Sequence, residues 1–524
     1  MAARDPRVPC APARRRSDRS GQSVPALPGC QGTSFRRTRP LLCKLTFECH
    51  NPWAIAASKG PGIEEPDVPR SAALYQSPES RAFRWSSDHL RSRTPAVWAS
   101  SAFFIAGLIY FFWWGLHVDW GMVLHRNWNS GTDIWLTFQV AGYVAHGHLS
   151  SVYSHYYFES FPGIAFLLAP VAALVSALHL SVDIPPSQQF VHPQAWVILG
   201  PILLLVSTVP LFAFDALAQR LGADRSRRLL LAFAQGVALW SVLVFWGHPE
   251  DAMAVGLLAY AYLFSLDGRW NGAAWLFGVA VALQPLVLAV LPILLAIAGI
   301  KRWSRFVVRA VIPGLAVIIG PLITNFHLAF TAFTQQPSFP LANHETPWTA
   351  LAPRVNIGVF AVAGGPGRVV SLVLACAVGW WSIRWRGRPE MLVWAASLAL
   401  ALRCFTESVM DPYYLWPALA LAMVASVRTH SWRFGSTLAS AVLVTVTSQW
   451  HLAWATWWVL NSVGLAVVLI CSIPVHVVGL HAPAAASGSP ARGGTGRQRS
   501  PHRGGAIARK TTTKGQRSRK PSRR

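Results

Sequence analysis

Apolar residues along this chain are gathered into long blocks, and short polar or basic stretches separate one block from the next. A bilayer core of about 30 Å needs roughly 20 apolar residues per helix, which is close to the length of these blocks. The pattern predicts an all-α polytopic membrane protein with about 10–13 transmembrane helices. The blocks lie at 96–116, 162–180, 195–218, 229–246, 252–266, 272–299, 306–325, 355–383, 390–406, 413–427, 436–449 and 451–478.

Two regions do not fit a simple alternation of spans across the membrane. The block 272–299 has basic residues on both flanks, at Arg269 and Lys301, and it is interrupted at Gln284. We expect it to enter the membrane and return as two half-helices. The region 162–218 contains two apolar segments joined by a loop without Lys or Arg, so one of the two is expected to be only partly inserted.

Composition supports the membrane assignment and divides the chain into three regions. Hydrophobic residues make up 53% of the 524 residues and charged residues only 13%, whereas soluble globular chains carry about 25% charged residues. Polar and basic residues dominate 1–95, an expected disordered extension, and 481–524, an expected disordered cytoplasmic tail. The membrane domain is expected over 96–480.

The net charge of +25 is concentrated at the C-terminus, where twelve Lys or Arg residues lie between Arg492 and Arg524 without any Asp or Glu. We expect this tail to contact anionic membrane lipids, and we expect no nucleic-acid partner. Arg outnumbers Lys 40 to 6, which is typical of a GC-rich bacterial genome. The expected location is therefore the plasma membrane of a bacterium.

Basic and acidic residues are expected at opposite faces of the membrane. The positive-inside rule places five basic loops in the cytoplasm: Arg220 to Arg228, Arg269, Lys301 to Arg309, Arg384 to Arg388 and Arg428 to Arg433. Most acids of the membrane domain fall in the other loops or at the outer ends of spans. These are Asp119, Asp133, Glu159, Glu250, Asp251, Glu345, Glu407 and Asp411.

The first long external stretch, 117–161, contains a candidate catalytic acid. Its apolar residues from Ile134 to Ala145 recur at helical spacing and predict a short helix along the membrane surface. Asp133 stands at the N-terminal end of this helix, where a carboxylate also suits the helix dipole. Asp133 is therefore either a helix cap or a functional acid.

This stretch contains the run GTDIWLTFQVAGYVAHGHLSSVYS, followed by FPGIAFLLAPVAAL. These motifs resemble those of the GT-C superfamily of polyprenyl-phosphate-sugar-dependent glycosyltransferases, in particular its bacterial mannosyltransferase branch. Asp133, Gly147, Tyr153 and Pro162 occupy the family's motif positions, but Gly163 stands where a second proline is usual.

Two later segments extend the resemblance over about 130–420. WGHPEDAMAVGLLAYAYLFSLDGRWNGAAWLFGVAVALQPLVLAVLPILL is similar to a family segment that ends in Ala-Ala-Leu-Lys-Pro, with Gln284 in place of the lysine. DPYYLWPALALAM is similar to the Pro-Tyr-Tyr-Leu-x-Pro segment of the last third. The resemblance implies a GT-C fold and transfer of a sugar from a lipid phosphate with inversion. In such enzymes an acid of the first external loop is the general base, here Asp133, with Asp119 second.

Several further residues are candidates for substrate binding, each with a structural alternative. His248, Glu250 and Asp251 either form an external turn or bind sugar or acceptor hydroxyls. Arg403 either pairs with Glu407 at i,i+4 or binds lipid phosphate from the same side as Asp411 and Tyr413.

The segment 335–354 is expected to form an ordered external loop in which four side chains line a sugar pocket. These are His344, Glu345, Trp348 and Arg354. Tryptophans near residue 455 are expected to form an interfacial aromatic belt, with a sugar-binding platform as the alternative. These are Trp450, Trp454, Trp457 and Trp458.

The sequence thus predicts an integral-membrane enzyme that moves mannose or a pentose from a polyprenyl-phosphate donor to an envelope glycolipid or polysaccharide. The active site is expected on the outer face. No cofactor besides the donor substrate is expected, and no metal, since no Asp-x-Asp pair is present. A transporter or lipid flippase, or an inactive accessory protein of the same fold, stays open as an alternative.

Overall fold

A computed structural model describes residues 91–114, 132–154, 158, 161–182, 194–340, 344–356, 360–450 and 452–474. The chain divides into two units, Met1–Tyr75 and Gln76–Arg524, and all of the described residues belong to the second. Residues 1–90 of the predicted extension over 1–95, the basic tail 481–524 and Asp119 therefore lie outside the described residues.

Helices dominate the described part of the chain, and four strands of two or three residues accompany them. The first eight helices are α1 Thr94–Leu108, α2 Thr132–Ala145, α3 Gly163–Ala177, α4 Trp196–Val206, α5 Val209–Arg220, α6 Arg225–Trp240, α7 Pro249–Leu266 and α8 Trp270–Leu283. The others are α9 Leu291–Ala298, α10 Trp303–Thr324, α11 Phe326–Gln335, α12 Pro366–Ser382, α13 Pro389–Thr406, α14 Trp416–Ala425, α15 Ser431–Thr447 and α16 Trp454–Ser472. The strands are β1 His344–Glu345, β2 Arg354–Asn356, β3 Phe360–Val362 and β4 Val409–Met410.

Helices long and apolar enough to cross a membrane number seven among the described residues, and three shorter apolar helices accompany them. The seven are Thr94–Phe111, Trp196–Arg220, Arg225–Phe245, Ile300–Thr324, Pro366–Trp385, Pro389–Thr406 and Trp454–Ser472. The chain is therefore an all-α polytopic membrane protein, as the apolar blocks predict.

The interrupted block 272–299 crosses the fold and returns, which confirms the prediction of two half-helices. Helix α8 ends at Leu283, Gln284 is extended, and a 3₁₀ segment beginning at Pro285 leads into α9. Arg302, which follows α9, lies over the ring of Trp270 at the start of α8, 5.1 Å from its centroid. The two outer ends of the block therefore lie side by side.

The predicted cytoplasmic loops gather at one end of the fold. Arg220 pairs with Asp267 at 2.9 Å, and Arg227 donates to the backbone carbonyl of Thr429 at 2.8 Å. Arg386 donates to the carbonyl of Ala296. Loops far apart in sequence thus form one surface, which we call the basic end. Arg227 lies on the basic end. The loop from Arg220 to Arg228 is therefore on the same side as the other basic loops, although two apolar segments, within 162–218, precede it.

Helix α7 connects the basic end to the opposite end of the fold. It runs for 18 residues, from Glu250 in its first turn to Leu266 beside Asp267, a length of about 27 Å at 1.5 Å per residue. Helix α14 is buried along its whole length, because its small and aliphatic side chains let neighbouring helices surround it. The fold thus holds the acids near Glu250 at the end opposite the basic end.

The start of α3 leaves no room for a side chain at Gly163. A Cβ atom here would meet the backbone carbonyl of Ala282 at the end of α8. Helix α3 therefore begins in direct backbone contact with α8, which a proline or any larger residue would prevent.

Candidate functional site

Helix α2 forms as its apolar spacing predicts, and it presents Asp133 in its first turn. Ile134, Trp135 and Phe138 are buried against the rest of the protein, which fixes the rotation of the helix. The Asp133 side chain is 56% exposed, and its Oδ2 lies 3.1 Å from Nε2 of His248. Asp133 is therefore both accessible and held in contact with a second predicted site residue.

His248 is the centre of the cluster. It follows Gly247, whose φ of 72° permits the tight turn before α7. Its Nδ1 lies 2.6 Å from Oε1 of Glu250, and its ring stacks on Tyr413 with 3.9 Å between centroids. Burial lowers the pKa of His248, but the carboxylates of Glu250 and Asp133 outweigh it and raise the pKa well above its ordinary value. The two carboxylates therefore favour the protonated form of the imidazole that lies between them.

Two further acids lie buried in the same cluster. Asp251 is fully buried, and neither of its carboxylate oxygens completes a hydrogen bond with a described residue, although the Gln284 side chain interacts with it. Burial raises the pKa of Asp411 to about 7, and the negative charge of Asp133 adds to this effect, while His248 and Tyr413 oppose it. Acids predicted from three separate segments therefore meet in one place.

The shifted pKa of Asp411 predicts a pH dependence of stability. The folded protein holds the Asp411 proton up to about pH 7, whereas an unfolded chain releases it near 3.8. The stabilisation from Asp411 is therefore present at low pH and is lost as the pH rises through about 7. We expect Asp411→Asn to flatten the fall in melting temperature between about pH 5 and pH 7.5 in detergent. His248 and Asp251 retain part of the slope, because the pKa of each is also raised. Asp224→Asn, an exposed control at the basic end, should keep the full slope, and an unchanged slope in Asp411→Asn would contradict the assignment.

Glu407 holds two arginines next to the acid cluster. Its carboxylate lies 2.9 Å from Nε of Arg403 and 2.7 Å from Nε of Arg368. Burial raises the pKa of Glu407, but the two guanidinium groups outweigh burial and lower it. The predicted Arg403–Glu407 pair is confirmed, and one carboxylate shared by two arginines leaves a net positive charge.

Arg368 is a site residue that the sequence analysis missed. It lies in the first turn of α12 and also donates to the side-chain oxygen of Gln336 at 2.7 Å. An arginine inside the apolar block 355–383, without an acid beside it in sequence, was the available signal. The sequence separation of 39 positions between Arg368 and Glu407 hid the pairing.

Aromatic rings connect the acid cluster to the arginines. Tyr413 packs edge-on against Tyr414 with 4.6 Å between ring centroids. The guanidinium carbon of Arg403 lies 4.5 Å from the centroid of Tyr414. A continuous line of contacts therefore runs from Asp133 through His248 and the two tyrosines to Arg403.

The predicted external loop reaches the same end of the fold through a short sheet. Strand β1 pairs antiparallel with β4, so that Glu345 lies opposite Val409. Glu345 is partly buried and lies beside the site on this strand. The segment also supports the arginine pair, because Thr346 donates to the backbone carbonyl of Glu407.

The prediction of an aromatic belt is wrong for Trp457. Trp457 is fully buried, donates to the Ser448 carbonyl at 2.8 Å and stacks on His344 with 3.8 Å between centroids. Packing of the 335–354 loop on α16 covers it. Trp450 and Trp454 remain about half exposed, as a belt requires.

Three groups of the cluster have the spacing of a metal site. His248, Glu250 and Asp251 each offer one ligand atom, and these atoms lie within 4.8 Å of one another. One Glu250 oxygen and both Asp251 oxygens are buried without a hydrogen-bond partner in the described part of the chain. Imidazole and carboxylate groups are suitable ligands for divalent cations. The sequence predicts no metal, and the geometry identifies this trio as the group that could hold one.

Comparison with known proteins adds no family assignment. Neither a model of a known protein family nor a curated protein sequence matches this chain.

Proposed function

We propose that the protein is a membrane glycosyltransferase of GT-C type, which moves a sugar from a polyprenyl phosphate to a glycolipid or glycan acceptor. The observation that supports this most is the contact line from an accessible carboxylate, Asp133, to an arginine pair around Glu407. Glycosyl transfer from a lipid phosphate needs both a base for the acceptor hydroxyl and cationic groups for the departing phosphate.

Asp133 acts as the general base in this proposal. It takes the proton of an acceptor hydroxyl as the oxygen attacks the anomeric carbon, and the bond from that carbon to the phosphate oxygen breaks. His248 positions the carboxylate through the 3.1 Å contact, and Glu250 balances the imidazolium charge. Attack on the face opposite the phosphate gives inversion.

Arg403 and Arg368 hold the departing phosphate. Arg403 uses only Nε for Glu407, so within the described residues its two terminal nitrogens make no side-chain hydrogen bond. The second terminal nitrogen of Arg368 is likewise unused. Guanidinium groups donate pairs of hydrogen bonds to phosphate oxygens and stabilise the developing charge. Both side chains are about one-quarter exposed, so a lipid phosphate can reach them.

The proposal is tested by sugar transfer in membranes that contain the full-length protein. Wild type is expected to move label from radiolabelled polyprenyl-phosphate mannose or pentose into extracted lipid acceptors. Asp133→Asn should fail in the same membranes at equal protein level. Asp224→Asn is the matched control, because Asn also caps a helix and Asp224 lies at the N-terminus of α6. Movement of intact donor across the bilayer without covalent transfer would overturn the proposal in favour of a transporter.

Metal removal gives a separate prediction. We expect transfer to persist in excess EDTA, because arginines rather than a metal ion meet the phosphate charge. The measurement is the transfer rate before and after chelation, with Mn²⁺ added back. Loss in EDTA and recovery with Mn²⁺, together with loss in Asp251→Asn, would instead assign His248, Glu250 and Asp251 as a metal centre.

A further inference from the structure

A cavity of about 420 Å³ opens at the basic end, between the turn that joins α7 to α8 and the start of α10. We propose that it binds the phosphate of an anionic lipid headgroup. This inference does not rest on the proposed glycosyl transfer, because the cavity lies at the opposite end of α7 from Glu250. Its polar lining is Arg269, Trp270, Asn271, Arg302, Arg305 and Arg309.

The charge of the cavity is unbalanced. None of its four arginines forms an ion pair with an acid of the described residues. The neighbouring acid, Asp267, is already paired with Arg220 at 2.9 Å. Positive charges gathered in this way repel one another unless an anion lies between them. Basic loops on the cytoplasmic side are a general feature of topology, but a concave cluster with no carboxylate in its lining is a binding site for an anion.

The arginines are held in position by neighbours that leave donors free. Arg302 lies over the ring of Trp270 at 5.1 Å, and Arg269 lies over Phe264 at 5.6 Å. Stacking on a ring face fixes a guanidinium plane and leaves its N–H groups at the edge available to phosphate oxygens. Residues three and four apart share one helix face, so Arg305 and Arg309 on α10 point to the same cavity as Arg302.

Exposed apolar side chains next to the cavity favour a lipid over free phosphate. Along α8, Asn271 lines the cavity and the following residues at four-residue spacing are Trp275 and Val279, which are 43% and 40% exposed. These three residues lie on one helix face. On α10, Val308 is 62% exposed between two cavity arginines. The cavity therefore continues into an apolar surface on which an acyl chain can lie.

The cavity volume also suits a headgroup. Ligand pockets commonly measure about 300–1,000 Å³, and basic pockets between helices near the cytoplasmic face are the usual sites for anionic headgroups. The neutral amide of Asn271 can donate to a headgroup hydroxyl or ester oxygen. A phosphodiester with a small polar headgroup and two acyl chains satisfies all of these features.

The test is native mass spectrometry of the purified full-length protein in neutral detergent, titrated with dioleoyl phosphatidylglycerol. Wild type is expected to retain this lipid and to bind dioleoyl phosphatidylcholine at least tenfold more weakly. Arg305→Gln combined with Arg309→Gln should weaken phosphatidylglycerol binding at least tenfold. Arg384→Gln combined with Arg388→Gln removes the same charge from another basic loop outside the cavity, and it should bind as wild type does.

Two outcomes would overturn the proposal. Equal weakening in both double variants would mean that general surface charge, and not the cavity, attracts the lipid. The second outcome is displacement of phosphatidylglycerol by inorganic phosphate at a millimolar concentration similar to that of the lipid. It would mean that the site takes phosphate from solution. Size-exclusion elution checks folding, and single Arg305→Gln, an exposed position, replaces the double variant if that variant aggregates.

Discussion

Asp133→Asn is expected to reduce the rate of sugar transfer about 10³-fold, within the range of 10²–10⁴ that general-base catalysis contributes. Asn keeps the shape of the side chain, and its amide oxygen can keep the 3.1 Å contact with Nε2 of His248, so binding of donor and acceptor should change little. The loss should therefore appear in kcat and leave KM nearly unchanged. Because the side chain is 56% exposed, the variant should fold as wild type does.

Initial rates of label transfer, measured at several donor concentrations, separate kcat from KM. Folding is checked by the melting temperature in detergent, which should lie within the error of the wild-type value. A variant that keeps full kcat would remove Asp133 from the role of base. The next candidate would then be Asp119, which lies in the same external stretch but outside the described residues.

Glu407→Gln is expected to destabilise the folded protein by roughly 3 kcal/mol, the lower end of the cost of removing one partner from a buried ion pair. The Glu407 side chain is only 2% exposed and compensates both Arg403 and Arg368. Gln leaves two guanidinium groups facing each other without a carboxylate between them. The partial exposure of the arginines permits some solvent screening, which is why the lower end applies.

Urea or thermal unfolding of the purified protein in detergent measures this effect. Glu345→Gln is the matched control, because Glu345 lies on the neighbouring strand β1 and forms no ion pair among the described residues. It should change stability by less than about 0.5 kcal/mol. Equal stability of Glu407→Gln and wild type would show that the arginines are compensated from elsewhere.

Much of the fold follows from the sequence because a bilayer makes length and polarity decisive. Blocks of apolar residues predicted helices, and basic loops predicted a common end. The break at Gln284 predicted the reversal between α8 and α9, since the extended residue and the proline after it cannot continue a helix. Local backbone chemistry was sufficient in each of these cases.

Contacts between residues far apart in sequence could not be predicted from local patterns. The i,i+4 spacing of Arg403 and Glu407 indicated their pair, but nothing local connects Arg368 to Glu407 or Asp133 to His248. Trp457 was assigned to the membrane interface because its neighbours are tryptophans, and only the packing of His344 on its ring shows that it is buried. These contacts depend on how helices that are distant in sequence pack together, and local sequence patterns do not reveal that packing.

The most direct test of the central claim uses purified wild-type protein in liposomes with a single polyprenyl-phosphate sugar, labelled in the sugar, and a lipid acceptor. We predict that label appears covalently on the acceptor with inverted anomeric configuration, and that one polyprenyl phosphate is released for each sugar transferred. Label that stays on the donor, whether or not the donor crosses the bilayer, would contradict the assignment of the Asp133–His248–Tyr413 cluster as a transferase site.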